Sequence, residues 1–287
     1  MPKYISSRKN PTVVLAASLS EKKERERQGL FRFDGKKLFC EACACGVEIW
    51  GVFIREGDDG SLCDFVNKCA LDNNIEIEDR LFILSEPAFD RISEEKSPEG
   101  IITVAKYIDK LRKIATIDNI KTNGIGEYVP HESRVMALES VRDPGNLGTV
   151  IRTAAALGVD TLILSSDCAD IYNPRTLRAA MGAVFTRRIV ITDDLPSVLG
   201  ALEKSGRRTV AAALTDSACD AESLALSSRD CVVVGNEGHG LSADVISACS
   251  VAAILPMERG PGIESLNASV AAAIFIWLCR REPKDPD

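Results

Sequence analysis

The chain has 287 residues, of which 45% are hydrophobic and 27% are charged. This length favours two domains, and this composition is that of a globular protein with a substantial buried core. A membrane-spanning protein is excluded, because the longest apolar run, residues 270–279, is too short to cross a bilayer. The amino terminus lacks the apolar core of a signal peptide, so we expect a cytoplasmic protein.

The formal net charge of −7 conceals an uneven distribution of charge along the chain. Ten basic and four acidic residues give residues 1–40 a net charge of +6, which leaves −13 for the remainder. A basic arm on an acidic body indicates binding of a polyanion, although the alternating charges at 21–28 equally suit a solvated helix face. The candidate contacts to a polyanion are Arg8, Lys9, Lys22, Lys23, Arg25 and Arg32.

A short run of cysteines contains a CxxC pattern, formed by Cys40 and Cys43 and followed by Cys45. A structural zinc site usually needs four ligands, yet no second CxxC is present and His131 and His239 lie far away in sequence. The pattern therefore favours small buried residues on a helix in a reducing compartment, and we predict no metal site.

The first half of the chain alternates helical and strand-like patterns. A helix is predicted over 11–28, between Asn10-Pro11 and Gly29. Further helices are predicted at 36–45 and 61–73, with strands at 30–33, 48–54, 80–84 and 101–107. These elements indicate a small α/β domain over 1–117, and the Asn, Gly and charged residues of 118–132 indicate a linker.

From residue 133 to 287 the pattern predicts a second α/β domain. Strands are predicted at 135–141, 161–164, 188–191, 209–213, 231–234 and 251–255. Helices are predicted near 146–157, 174–181, 195–205, 242–249 and 266–280. Apolar strands that alternate with helices predict a parallel sheet covered on both faces, in which ligands bind outside the carboxyl ends of the strands.

Polar and glycine-rich segments follow the strands predicted at 135–141 and 231–234. In the first, Asn146 is well placed as a helix N-cap, and Arg152 is turned away from the core, where a guanidinium can grip phosphate or carboxylate. Taken alone, this motif favours an ordinary surface arginine on a capped helix at position 152. In the second, Gly235, Gly238 and Gly240 let the backbone approach a ligand closely, and Glu237 is either a structural acid or an active-site group. We assign no role to the nearby loop histidine.

A third segment follows the strand predicted at 251–255. Ser265 and Asn267 flank Leu266 at the start of the last helix, where either polar residue can be an N-cap. The glycine spacing of the second segment differs from that of the dinucleotide fingerprint, which counts against a nicotinamide-dependent oxidoreductase.

Together these segments resemble the three signature motifs of the SpoU (TrmH-type) branch of the SPOUT RNA 2′-O-methyltransferases. The matching residues are Asn146, Gly148 and Arg152, then Gly235, Glu237, Gly238 and Gly240, and finally Pro256, Met257, Ser265, Leu266, Asn267 and Ser269. The first half also resembles the ribosomal-protein-like substrate-binding domain of such enzymes, through residues 5–11, 29–31 and 97–101.

The resemblance implies a homodimer that uses S-adenosylmethionine, with a deep trefoil knot at the cofactor pocket and an active site across the dimer interface. It implies that the catalytic residues are Arg152, Asn146, Glu237, Ser265 and Asn267. It implies cofactor contacts from Gly235, Asn236, Gly238, Leu255, Met257 and Leu266. The basic residues of the first domain are then the expected contacts to RNA.

The expected reaction moves a methyl group to a ribose 2′-hydroxyl, which must lose a proton. Because a guanidinium stays protonated at ordinary pH, we expect Arg152 to fix a phosphate and lower the pKa of the hydroxyl. Ser265, Asn146 or the phosphate would relay the proton. Large-subunit ribosomal RNA is the expected substrate by analogy; the alternatives are transfer RNA and a non-catalytic RNA-binding protein of the same fold.

Overall fold

The structure is a computed structural model that describes residues 2–57, 60–95, 97–108, 112–114, 116–258 and 265–280. The described residues divide into two compact units. The first unit comprises those of Met1–Ile108 and Asp170–Phe185, and the second comprises those of Asp109–Ala169 and Thr186–Asp287. Among the described residues, no helix has both the length and the apolar character needed to span a membrane.

The first unit is built on a mixed sheet. In chain order its elements begin with β1 (Lys3–Ile5), α1 (Pro11–Ser18), α2 (Lys22–Gln28), β2 (Leu30–Asp34) and α3 (Lys36–Ala44). They continue with β3 (Ile49–Arg55), α4 (Ser61–Asp72), β4 (Leu81–Leu84), α5 (Glu86–Ile92) and β5 (Ile101–Lys106). The strand order is β1-β4-β3-β5-β2, with β5 antiparallel to both of its neighbours. The predicted α/β character of this half is confirmed.

The helix predicted over 11–28 is wrong as a single element, because it is broken between Ser18 and Lys22. Asn10 caps α1 by accepting a hydrogen bond from Thr12 N at 2.9 Å, and Gly29 ends α2 in the left-handed conformation, as expected. Alternating charges at 21–28 favour a continuous helix, but periodicity alone does not reveal a short turn between two helices.

The second unit is built on a parallel sheet. Its elements begin with β6 (Arg112–Ile114), α6 (Ile117–Asn123), β7 (Val135–Leu138), α7 (Pro144–Ala156) and β8 (Thr161–Ser165). After α8 (Pro174–Ala180), which belongs to the first unit, come β9 (Arg188–Thr192), α9 (Leu195–Lys204), β10 (Thr209–Ala212) and β11 (Cys219–Asp220). The last are β12 (Cys231–Val234), α10 (Ala243–Ser247), β13 (Val251–Ile254) and α11 (Ala268–Leu278).

The strand order of this sheet is β11-β13-β10-β12-β7-β8-β9-β6, and each pairing between these strands is parallel. The prediction of a parallel sheet is thereby confirmed. Buried apolar side chains of β7, β8, β12 and α9 share one hydrophobic cluster beneath the sheet. Residues 118–132, predicted as a linker, contain most of α6 and contribute the buried Tyr128 and Val129 to this cluster.

The sheet order determines where the motif loops lie. Strand β12 pairs with β7 on one side and with β10 on the other, and β10 pairs with β13. The loops that carry the three motifs follow β7, β12 and β13, so all of them leave the same edge of a parallel sheet.

Candidate active site

The first motif lies in the turn from β7 into α7. Asp143, not Asn146, is the N-cap: its Oδ1 accepts a hydrogen bond from Asn146 N at 2.8 Å. The expectation of Asn146 as the cap is therefore wrong. Pro144 has a φ angle suited to the first helical position, so the helix begins two residues earlier than predicted. The Asn146 side chain is consequently free to reach outside its own helix.

The second motif is a loop that closes on itself. Asn236 and Gly240 form a backbone bridge, and Asn236 Oδ1 accepts hydrogen bonds from the backbone amides of Gly238 at 2.8 Å and His239 at 3.2 Å. A Cβ on Gly235 would lie 2.4 Å from the Gly240 carbonyl group. Gly235 is therefore required by the close return of the loop, and not only by the approach of a ligand.

The third motif provides the cap of α11. Asn267 Oδ1 accepts hydrogen bonds from Ser269 N at 2.9 Å and from Ser269 Oγ at 2.6 Å. This cap leaves the Asn267 amide nitrogen free to donate elsewhere. Ser265, the other predicted N-cap candidate, does not cap the helix.

The three motifs meet at the side chain of Asn146. Its Nδ2 donates to Glu237 Oε1 at 2.5 Å, and its Oδ1 accepts from Asn267 Nδ2 at 3.1 Å. One amide thus joins residues that are 91 and 121 positions away along the chain. The three side chains form a polar row in which each donor faces an acceptor.

A cavity of about 710 Å³ lies beside this row, a volume suited to a cofactor. It contains all six of the predicted cofactor contacts: Gly235, Asn236, Gly238, Leu255, Met257 and Leu266. Glu237 and Ser265 also line it. Because the remaining lining is apolar, with alanine as its most frequent side chain, the cavity suits a ligand with an apolar surface and a few polar groups.

Arg152 does not belong to the cavity of its own chain. It lies on α7, six residues after Asn146 and on a different face of the helix, with its side chain exposed. It forms no hydrogen bond or ion pair with any described residue. The structure therefore brings together four of the five predicted catalytic residues, Asn146, Glu237, Asn267 and Ser265, but not Arg152.

Two of the predicted RNA contacts are buried. Arg25 is 2% exposed, forms an ion pair with Asp170 at 2.7 Å, and donates to the carbonyl groups of Leu19 and Ser20 between α1 and α2. Arg32 is 4% exposed and is paired with Glu94. Their prediction as RNA contacts is wrong, because both guanidinium groups are used inside the protein. Arg8, Lys9, Lys22 and Lys23 are exposed.

Sequence reasoning missed a cluster of polar side chains around the start of the first motif: Ser140, Arg142, Ser165 and Asp167. No spacing rule points to it, because its members come from two different strand ends. The Asp-Pro pair alone is a signal that could have identified Asp143 as the N-cap.

Of the three cysteines in the run, Cys43 is buried as predicted, whereas Cys40 and Cys45 are half-buried. Cys40 Sγ lies 3.1 Å from Cys69 Sγ, and Cys43 is buried on the same helix as Cys40. Burial raises the pKa of Cys40 to about 12 and that of Cys43 to about 11, so both stay protonated at neutral pH. Within the part of the chain that the structure describes, no group of three or more His, Cys, Asp or Glu side chains is arranged to hold a metal ion.

Comparison with known proteins assigns both halves of the chain. The SpoU rRNA Methylase family matches residues 133–277, and the MRM3-like substrate binding domain matches residues 6–103. The 23S rRNA (guanosine(2553)-2′-O)-methyltransferase RlmP of Bacillus subtilis (strain 168) is 30% identical over 97% of this chain and 99% of that protein. The mitochondrial rRNA methyltransferase 3 of Mus musculus is 25% identical over 90% of this chain and 69% of its own length.

Among solved structures, that of an AdoMet-bound rRNA methyltransferase from Sinorhizobium meliloti superposes with a TM-score of 0.76. The two chains are 25% identical, and the match covers 96% of each. These similarities and the assembled motif loops define the class of protein as an RNA methyltransferase, and the prediction of an S-adenosylmethionine-dependent enzyme is confirmed. The chain belongs to the SpoU rRNA methylase family.

Proposed function

We propose that this protein transfers a methyl group from S-adenosylmethionine to a ribose 2′-hydroxyl of large-subunit ribosomal RNA. The observation that carries this proposal is the convergence of Asn146, Glu237 and Asn267 beside the cavity at the carboxyl edge of the parallel sheet. The Bacillus subtilis relative, which is similar over nearly the whole chain, is named a 23S rRNA 2′-O-methyltransferase. This name supports both ribosomal RNA as the substrate and methylation of a ribose 2′-hydroxyl as the reaction.

The cavity supports the binding of S-adenosylmethionine, which supplies the methyl group. Backbone at Gly235, Leu255 and Leu266 would hold the cofactor, and Met257 and Gly238 would complete its surroundings. Gly235 and Gly238 line the cavity without side chains, so the loop backbone lies next to the bound ligand in this proposal. Apolar side chains of β10, β13 and α11 line one part of the cavity.

Asn146, Glu237 and Asn267 would position the reacting ribose. The Glu237 carboxylate accepts a hydrogen bond from Asn146, which fixes the orientation of the amide at the cavity edge. Arg152 would grip the neighbouring phosphate and stabilise the developing negative charge on the 2′ oxygen. The proton of that hydroxyl would be relayed to water through Ser265, Asn146 or the phosphate, since a guanidinium is not a base at neutral pH.

The protein would act as a homodimer, with the active site across the interface. Arg152 lies outside the cavity of its own chain, and α11, which packs against α7, has an exposed apolar stripe of Val270, Ile274 and Trp277. A second copy that covers this stripe would bury apolar surface and bring its arginine towards the first copy's cavity. The chain around the cavity would form the deep trefoil knot expected for SPOUT enzymes.

The first domain, proposed as residues 1–117, would bind the RNA, and residues 133–287 would carry out the methyl transfer. Arg8, Lys9, Lys22 and Lys23 are exposed basic side chains suited to phosphate contacts. The match of residues 6–103 to a substrate-binding domain supports this role. The cytoplasm would be the place of action, which is consistent with ten cysteines that form no disulfide.

The test is methyl transfer from labelled S-adenosylmethionine to large-subunit ribosomal RNA, with the ribose modification mapped by alkaline hydrolysis. We expect one nucleotide to be methylated, and the same RNA with a 2′-deoxy residue there to be inactive, because the accepting oxygen is gone. Preference for transfer RNA would select the alternative substrate. Binding of RNA without any transfer by a folded, cofactor-binding protein would favour the non-catalytic alternative.

A further inference from the structure

The turn between β7 and α7 has an unusual backbone conformation, which is held by the carboxylate of Asp167, a residue outside the three motifs. Ser140 has a φ of 54°, in the left-handed region that residues other than glycine rarely adopt. All of its polar groups are engaged: its amide donates to Ser165 Oγ at 2.8 Å, its hydroxyl donates to Asp167 Oδ2 at 2.6 Å, and its carbonyl accepts from Asn236 Nδ2 at 2.9 Å.

Asp167 is the acceptor on which this arrangement depends. Besides Ser140, it accepts hydrogen bonds from Ser165 Oγ at 2.6 Å and from Arg142 Nη2 at 2.9 Å. Burial alone would raise the pKa of Asp167, but these hydrogen bonds from Ser140, Ser165 and Arg142 outweigh it and lower the pKa to about 2. The side chain is therefore an acceptor only, throughout the range in which enzymes work.

Ser140 connects the two loops whose side chains meet in the reaction site. On one side it is followed by Asp143, the N-cap that accepts a hydrogen bond from the backbone amide of Asn146. On the other side its carbonyl anchors Asn236, which organises the loop that carries Glu237. The loop is closed within itself by the bridge between Asn236 and Gly240, so it can shift as a unit without losing its inner shape.

We propose that Asp167 is a positioning residue for methyl transfer, which through Ser140 sets the distance between the Asn146 amide and the Glu237 carboxylate. The effect of Asp167 on catalysis rests on the proposed function, whereas its effect on the positions of the two loops does not. An amide at position 167 has a single acceptor oxygen, so it cannot accept from Ser140 and Ser165 through separate oxygens. The strained turn then relaxes, and the two loops separate.

The experiment compares Asp167→Asn with wild type and with Asp193→Asn, a control at an exposed carboxylate in the turn before α9. For Asp167→Asn we expect kcat at saturating RNA and saturating S-adenosylmethionine to fall by about tenfold or more. Amide exchange should become faster in peptides covering 139–147 and 235–241, and not in β9. The control should match wild type in each measurement.

A second variant separates positioning from a general structural role. Ser140→Gly adopts the left-handed conformation without strain and cannot donate to Asp167, so Asp167→Asn should lower kcat by no more than about twofold in that background. An equal loss in both backgrounds would overturn the proposal, as would unchanged exchange in the two loops of Asp167→Asn. If wild type transferred no methyl group, the proposed function would fail, and the exchange measurement would still decide the role of Asp167.

Discussion

The amide of Asn146 shows how one residue assembles a site from distant parts of a chain. It has a donor and an acceptor on one side chain, and it uses the first for Glu237 and the second for Asn267. A carboxylate at position 146 could not donate, and a lysine could not accept. An amide at this position satisfies both neighbours at once.

A buried carboxylate in the first unit gives the protein a pH dependence that can be measured. Burial raises the pKa of Asp34 from 3.8 to about 6, with the nearby Arg32 opposing the rise. Between these pH values the folded protein holds more protons than the unfolded chain, so the free energy of unfolding falls as pH rises. The contribution of this group amounts to about 3 kcal/mol.

We therefore expect Asp34→Asn to weaken this fall. Urea unfolding at pH 4 and pH 7 should show a smaller loss of stability for Asp34→Asn than for wild type, with Asp193→Asn as the control that behaves like wild type. If the free energy of unfolding changed equally between pH 4 and pH 7 in wild type and in Asp34→Asn, the raised pKa of Asp34 would be contradicted.

Sequence patterns identify the residues of the site better than they identify the contacts that these residues make. All six predicted cofactor residues line the cavity, because a sequence motif occupies a fixed position in the fold. The pattern predicts Asn146 as a cap, since local spacing cannot show a partner 91 positions away. The sequence shows that Arg25 and Arg32 are charged, so it predicts that they lie at the surface. It does not show that each is buried in an ion pair with an acidic residue far along the chain.

At the scale of elements, α11 combines two roles. Its buried side, which includes Ala272 and Phe275, faces the body of the second unit, while Val270, Ile274 and Trp277 are 47%, 37% and 51% exposed. Positions 270, 274 and 277 follow helical spacing, so they form one continuous stripe. An exposed apolar stripe of this kind is typical of a surface that a second chain covers.

We expect Ile274→Asp to convert the protein from dimer to monomer in light scattering at micromolar concentration. A carboxylate costs little on an exposed face but is strongly unfavourable in a dry interface. Leu71→Asp is the matched control, because Leu71 is an exposed apolar residue on a helix of the first unit. A wild-type monomer, or an Ile274→Asp protein that remains dimeric, would be incompatible with the proposed interface.

Six strands of the second unit agree with the sequence patterns, whereas β6 and β11 are not predicted, and some helices and the grouping of segments also differ. Continuous apolar runs such as 161–164 and 231–234 are typical of strands buried on both faces of a sheet. The turn between α1 and α2 lies within one long helical pattern. Residues 170–185 pack in the first unit although they lie between two strands of the second, and chain order contains no signal for that.

In the whole molecule, the loops after β12 and β13 line a single cavity, beside the turn after β7, and we propose that this cavity binds S-adenosylmethionine. A substitution at Gly235 tests this assignment most directly. A methyl group at this position would lie 2.4 Å from the Gly240 carbonyl group, so the loop would have to move away from the cavity. Gly200 is a matched control, because a methyl group there meets no atom within 4 Å and lies inside α9.

The decisive measurement is calorimetric titration of S-adenosylmethionine into wild type, Gly235→Ala and Gly200→Ala. Wild type should bind one equivalent per chain, and Gly200→Ala should bind equally well. Gly235→Ala, once shown by circular dichroism to be folded, should lose affinity by about tenfold or more, equivalent to about 1.4 kcal/mol. Wild type that binds no cofactor, or a folded Gly235→Ala that binds it as tightly as wild type, would show that this cavity is not the cofactor site.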